Sequence, residues 1–189
     1  MTKVGLVETM AHHKPAAASM VKGMQMQTVL TTLLLIVKDN KILLGEKKRG
    51  WRQGVFNGFG GKVESGETFD EAMIRETIEE VDIIPTKWEK VAIHNFEVYL
   101  KGELTNLICH TYLATEFEGE AQESDEMRPQ WFDLDKIPYG KMWTDDIYWL
   151  PCILRGEKLI TYFEFDEDNN VLSHKLTSVI NFDDSQYTE

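Results

Sequence analysis

Cysteine is scarce in this 189-residue chain, and Cys109 and Cys152 are its two. They lie in stretches that read as a strand and an apolar helix, and neither falls into a zinc-ligand or nucleophile pattern. Buried thiols in a reducing compartment are therefore expected rather than a disulfide scaffold. Positive charge is also short: 20 Lys and Arg against 32 Asp and Glu leave a net charge of -12. Sequence-independent binding of a nucleic-acid polymer rests on neutralising phosphates with basic side chains, so such a polymer is excluded as the main partner. No apolar run reaches the roughly 18 residues of a membrane-spanning helix. Internal repeats, low-complexity tracts and interdomain linkers are lacking too. What remains is a globular composition, 42% hydrophobic and 11% aromatic, with length enough for one domain and a sizeable core.

Residues 1–27 carry Met1, Met10, Met20, Met24 and Met26 beside Ala16, Ala17 and Ala18, with neither strand alternation nor a helical stripe. Lys3, Lys14 and Lys22 against a lone Glu8 give a faint presequence character, but the segment has no Arg and little Ser. The expectation is a mobile extension, with a start later than Met1 left open. Residues 181–189 read as an acidic tail.

Between them, residues 28–180 read as one domain. TVLTTLLLIV from Thr28 is a β-branched, apolar strand, Asp39-Asn40 a turn and KILLGEK its partner. Residues 91–100 and 104–113 repeat that arrangement around Lys101-Gly102-Glu103, and Gln130 to Leu134 adds a strand after Pro129. Thr68 followed by Glu71 is a capping-box signature, which predicts a helix from Thr68 to about Val81, stopped before Ile84-Pro85. A second helix follows Asp145, with Pro151 in its first turn or kinking it. Residues 159–166 and 171–179 form a last hairpin. Strands and two helices in this order predict an α+β sandwich with a mixed sheet.

The most informative stretch is 61–83, GKVESGETFDEAMIRETIEEVDI. On the predicted helix Glu76, Glu79 and Glu80 lie three and four residues apart, so they share a face. Crowded carboxylates repel one another until a cation arrives, and Mg²⁺ takes hard oxygen ligands, with waters and substrate phosphates completing its shell. Glu67, just before the helix, can reach back to Arg75 and fix the loop while the other glutamates stay free for metal. A solvated helix face is the ordinary meaning of such a cluster. The preceding Asn57-Gly58-Phe59-Gly60-Gly61-Lys62 shifts the balance, because its three glycines let backbone carbonyls approach a metal or phosphate closely. An anionic nucleotide entering an acidic site also needs charge compensation, for which Lys47, Lys48, Arg49 and Lys62 are candidates.

Gly61, Glu67, Arg75-Glu76 and Glu79-Glu80 at these spacings resemble the Nudix box, with Thr77 where the family carries an aliphatic and Asp82 where it carries a glycine. Asp visits the left-handed region more readily than most residues. The resemblance implies the Nudix fold, a mixed sheet between helices in an α/β/α sandwich. It also implies hydrolysis of nucleoside diphosphates linked to another group. Glu76, Glu79, Glu80 and the Gly60 carbonyl would bind Mg²⁺, with Mn²⁺ the alternative. Glu80 is the first candidate for the base, and Glu126 is a further candidate ligand or base.

Four segments outside the box, 44–50, 56–62, 123–129 and 142–149, are similar to one branch, the eukaryotic MutT homologues that hydrolyse oxidised purine nucleoside triphosphates. Position by position, that likeness makes Asn57, Asp145 and Asp146 readers of the purine edge and Trp143 its stacking partner. Thr32, Phe96, Met127 and Trp51 would line the pocket, Trp51 standing where the branch has phenylalanine, and Lys47 would meet the nucleotide. Without the likeness, Trp143 reads as a core aromatic and Asp145-Asp146 as a helix N-terminal pair. The expected partner is a small nucleotide, the expected state a monomer, and the expected compartment the cytoplasm, with mitochondrial or nuclear pools as alternatives. Other nucleotides, among them methylated purine triphosphates, ADP-ribose and dinucleoside polyphosphates, and a catalytically silent nucleotide-binding module stand as rival readings.

Overall fold

The computed structural model describes residues 26–50 and 52–183. Residues 1–25 of the expected mobile extension, residues 184–189 of the acidic tail and Trp51 lie outside the described residues. The chain runs β1 (Gln27–Lys38), β2 (Lys41–Lys47), β3 (Phe56–Asn57), α1 (Phe69–Val81), β4 (Ile84–Leu100), β5 (Glu103–Glu118), β6 (Met127–Asp133), a 3₁₀ turn (Tyr139–Lys141), α2 (Asp146–Leu154), β7 (Lys158–Phe165) and β8 (Val171–Val179). The strands lie in the order β3-β2-β1-β5-β4-β7-β8, with β6 paired to β2. β1 with β5 and β4 with β7 are parallel and the other pairs antiparallel, so the sheet is mixed as expected.

Period-two alternation assigns each side of the sheet to one helix. Leu34 and Ile36 of β1 and Leu43 of β2 pack with Phe59, Met73 and Val81 on the α1 side. Leu35 of β1 and Ile42 and Leu44 of β2 pack with Trp149, Leu150 and Ile153 on the α2 side. Because both faces are buried, the run LLLIV is continuously apolar rather than alternating with polar residues. The helices thus cover opposite faces and complete the α/β/α sandwich.

The tight turns follow their residues. Asp39 and Asn40 both take positive φ, 51° and 61°, between paired strands. Helix α1 has the complete capping box at Thr68 and Glu71. It ends at Asp82 in the left-handed region, φ 58°, rather than through the proline, and Pro85 lies inside β4. Thr77 is buried, and its hydroxyl donates to the Met73 carbonyl at 2.8 Å, so the polar atom is satisfied one turn back.

Four expectations need correction. β4 and β5 are longer than residues 91–100 and 104–113, because register shifts between Pro85 and Ala92 break the alternation that marks a strand. β6 begins at Met127 and carries Pro129 within it; β6 pairs with β2, and an edge strand tolerates a missing N–H. Pro151 lies inside α2 in its second turn, which removes the first-turn alternative for its place. Cys109 and Cys152 are both free thiols, but Cys109 alone is buried and Cys152 is half-buried. Among the described residues no helix is long and apolar enough to cross a membrane.

Candidate active site

The glycine-rich loop is fastened to the part of β1 that β2 leaves unpaired. β1 and β2 pair over Ile36–Lys38; farther back, Leu34 N donates to the Phe59 carbonyl at 2.6 Å, Thr32 N to the Gly61 carbonyl at 2.8 Å, and Val63 N to the Leu30 carbonyl at 3.0 Å. Gly60, between them, has φ +152°, and a Cβ there would overlap the Thr32 carbonyl. Its own carbonyl accepts no backbone hydrogen bond among the described residues. Gly60 N–H donates to Glu80 Oε2 at 3.0 Å, which ties the loop to the last turn of α1.

Of the three helix glutamates, Glu76 and Glu80 face this loop, and the Glu79 side chain is 60% exposed. Burial pushes the Glu80 carboxyl up to about 8; the Glu76 and Glu126 charges add to the rise, while the Gly60 N–H and Lys47 oppose it. Glu80, Glu76, Glu126 and Lys47 therefore share one electrostatic neighbourhood. Arg75 Nε and Nη2 donate to Glu67 at 2.7 and 3.0 Å, as the sequence suggests, and this pairing with the Glu64 N–H brings the Glu67 carboxyl down to about 2. The guanidinium does more than expected. Its Nη1 also reaches Glu76 at 2.9 Å and Glu79 at 3.4 Å, so these glutamates are not free: one planar fork with five N–H donors spans three carboxylates.

Two of the other charged candidates are already paired. Lys48 holds Glu123 at 2.7 Å and the Ser124 carbonyl at 2.6 Å, and Arg49 holds Glu126 at 2.5 Å on an exposed surface. Lys47 is the basic side chain whose charge reaches Glu80. Among the described residues no three His, Cys, Asp or Glu side chains converge as a ready metal cage. The donors nonetheless suit a hard divalent cation. They are carboxylates on one helix, the Glu80 carboxyl raised by burial and further by its neighbours' charge, beside a backbone carbonyl without a backbone partner among the described residues, and substrate phosphates ordinarily complete such a shell.

Gly61 fixes how near the loop can come. A Cβ on it would overlap the Glu76 carboxyl. Gly61→Ala is expected to push that carboxyl off the loop and lower kcat by about tenfold or more with little change in Tm, the sensitivity of a site to small misplacement. Unaltered kcat would show that the close approach has no part in turnover.

Across the loop lies a cavity of about 200 Å³, lined by Thr32, Asn57, Gly60, Phe96, Trp143, Asp145 and Asp146 among others. Seven candidates from the sequence thus meet around one space. Met127 does not join them; it packs under Gly45 and Phe59 in the core on the α1 side. Lys47 and Glu126 stand on the Glu80 side. Sequence reasoning missed Leu107, Cys109, Trp149 and Phe165 on the walls. For Trp149 a signal existed, its position four residues after Asp145 on the second helix.

The polar groups of this cavity are held in place. Asn57 Oδ1 accepts from Gly58 N–H at 2.9 Å, which orients the amide. Asp146 Oδ2 accepts from Trp143 N–H at 3.0 Å, and Asp145 Oδ2 from Trp149 Nε1 at 2.8 Å. The Trp149 ring leans on His94, 4.6 Å between centroids, and His94 stacks on Phe96 at 5.3 Å. Burial drives the His94 pKa down to about 3, so the ring is neutral, bonded to Thr161 Oγ1 at 2.7 Å. Thr32 Oγ1 is buried with no partner among the described residues.

Burial pushes the carboxyls of both Asp145 and Asp146 up, and the Asp145 charge raises Asp146 further. One buried pair of adjacent carboxyls thus retains a proton well above the usual carboxylate range. The linkage has a definite sign. Folded pKa values above the unfolded value of about 3.9 make the native state bind more protons, so stability is greatest in acid and is lost as pH rises through the folded values. Asp146→Asn mimics the protonated group and is expected to be more stable than the parent at pH 8, with less gain at pH 4. Urea unfolding at the two pH values measures this, and a variant less stable at pH 8 would contradict it.

The mixed sheet between two helices, with the glycine loop, capped acidic helix and Arg75 clamp on one side of β1, is the Nudix architecture. The NUDIX domain model matches residues 26–152, and this chain belongs to that family. It is 45% identical to the oxidized purine nucleoside triphosphate hydrolase of Danio rerio over 79% of this chain and 95% of the relative, and 41% identical to that of Mus musculus over 81% and 97%. A crystal structure of a MutT protein from Bacillus halodurans superposes with a TM-score of 0.70 at 28% identity, over 78% of this chain and 97% of its own. Nudix hydrolases generally use a divalent metal.

Proposed function

We propose that this chain hydrolyses oxidised purine nucleoside triphosphates, 8-oxo-dGTP foremost and 2-hydroxy-dATP beside it, to the monophosphate and pyrophosphate, and so cleanses the nucleotide pool. The observation that carries the reading is the buried Asp145-Asp146 pair, lining with Asn57 and Trp143 one apolar cavity that borders the Gly60–Glu80 contact. An aromatic face with a few convergent polar groups suits a purine, which has two apolar faces and a polar edge. The zebrafish and mouse relatives are named oxidized purine nucleoside triphosphate hydrolases.

In this reading Trp143 stacks on the base, with Thr32 and Phe96 as walls and Asn57, Asp145 and Asp146 on its edge. Because the two aspartates share a proton, one donates while the other accepts, and a redistribution of that proton serves an oxidised adenine edge as well as an oxidised guanine edge. Trp149 N–H holds the Asp145 carboxyl in place for this exchange. On the phosphate side Glu76, Glu79, Glu80 and the Gly60 carbonyl would hold Mg²⁺, with Glu126 as a further ligand. The ion would polarise phosphoryl oxygens and lower the pKa of a bound water. Glu80, buried against Gly60 N–H, takes the proton from the attacking water. Arg75 and Glu67 keep loop and helix in register, and Lys47 offsets substrate charge. Residues 28–180 form the catalytic domain, flanked by an extension and an acidic tail, in a cytoplasmic monomer.

Turnover of 8-oxo-dGTP with and without Mg²⁺, with the phosphate product identified, tests the chemistry. Metal-dependent release of pyrophosphate is expected. Release of orthophosphate, or tight binding without turnover, would overturn it, the latter in favour of a silent binding module.

A further inference from the structure

Arg52 lies outside the cavity walls but touches one of them. Its guanidinium carbon stands 4.7 Å from the centroid of the Trp143 ring, the same ring that lines the cavity. Its Nε and Nη2 are buried and have no hydrogen-bond partner among the described residues. Its charge reaches the Asp145 carboxyl and helps hold it ionised, with no hydrogen bond between them. A guanidinium stays charged throughout the working pH range, and donors removed from water without an acceptor are costly, so these two unmatched donor nitrogens need an acceptor from elsewhere.

The backbone adds a second observation. Arg52 has φ +63°, a conformation that glycine adopts without strain, and it sits in a tight turn in which Val55 N donates to its carbonyl at 3.2 Å. The loop thus holds a long cationic side chain at a position where local structure favours a residue with none. Strain tolerated in this way is typical of a residue kept for what its side chain binds.

We propose that Arg52 is a substrate-binding residue that donates from Nε and Nη2 to an oxygen of the bound nucleotide, its guanidinium steadied on Trp143. This rests on the purine-pocket reading above, which brings a nucleotide against Trp143. An oxidised base and a phosphate chain both offer oxygen acceptors, and a planar fork suits either.

Arg52→Gly separates this role from a structural one, because it removes the side chain and relaxes the backbone at once. The expected result is a rise of roughly tenfold or more in KM for 8-oxo-dGTP, the loss of a charge-assisted hydrogen bond, with kcat within about threefold and Tm unchanged or higher. Arg52→Lys, which keeps charge but not the fork, should recover part of the loss. A KM within about twofold of the parent's, or a rise in KM accompanied by a fall in Tm, would overturn the proposal. Binding of 8-oxo-dGMP and of 8-oxo-deoxyguanosine locates the acceptor. Weakening of both by the same factor puts it on base or sugar, and weakening of the triphosphate alone puts it on the phosphates. Parent turnover of dGTP beside 8-oxo-dGTP tests the pocket reading independently, since Arg52 variants can be compared on whichever nucleotide the parent hydrolyses.

Discussion

Glu80→Gln is expected to lower kcat for 8-oxo-dGTP by roughly 10³-fold, within the range for loss of a general base, while nucleotide affinity stays within about threefold. Glutamine keeps the shape and the acceptor for Gly60 N–H, the 3.0 Å contact that ties loop to helix, so the loss reports proton transfer and charge rather than collapse. Glu80 stands out from its neighbours through burial: Glu79 is largely exposed, and Glu76 is tied to Arg75. Glu126 is the rival base. It is exposed and paired with Arg49, and Glu126→Gln is expected to cost less than about tenfold. Single-turnover rates beside equilibrium binding separate the two, and equal losses at both positions would move the base to Glu126 or divide it.

The second large effect belongs to the base pocket. Asp145→Asn should lower kcat/KM for 8-oxo-dGTP by about 10²-fold, because a buried, charged acceptor is replaced by a neutral amide that faces Trp149 N–H and the substrate edge with mismatched donors. Most of the loss should appear in KM, since the pocket is remote from the bond that breaks. The pH dependence carries the finer claim. Parent binding of the two oxidised bases should differ in profile from pH 5 to 9, as the shared proton moves between Asp145 and Asp146. Either asparagine variant should flatten the difference, because one proton site is then fixed. Profiles identical to the parent's for both bases in both variants would remove the proton-sharing idea.

Much of this arrangement was legible in the sequence because its signals are local. The capping box at Thr68 and Glu71, the left-handed Asp82, the reach from Glu67 to Arg75 and the Asp39-Asn40 turn each depend on a few neighbouring residues. The gathering of Thr32, Asn57, Phe96, Trp143, Asp145 and Asp146 followed from resemblance, since those residues come from four separated parts of the chain and no periodicity links them. What stayed hidden depends on tertiary register. Strand β3 is two residues long and exists through its pairing with Gly45 and Glu46. Met127 turns toward the α1 core because β6 pairs with β2 from its first residue. The spread of Arg75 over three carboxylates follows from where one guanidinium sits among them. The Arg52 contact with Trp143 joins residues 91 apart in sequence, through a loop that carries no pattern.

The most direct measurement is the ratio of kcat/KM for 8-oxo-dGTP to that for dGTP, with both nucleotides competing in one reaction with Mg²⁺. A ratio of at least about 10² in favour of the oxidised base is expected if buried polar groups read the altered purine edge. A ratio near one would contradict the pocket reading and leave Nudix hydrolysis without this specificity.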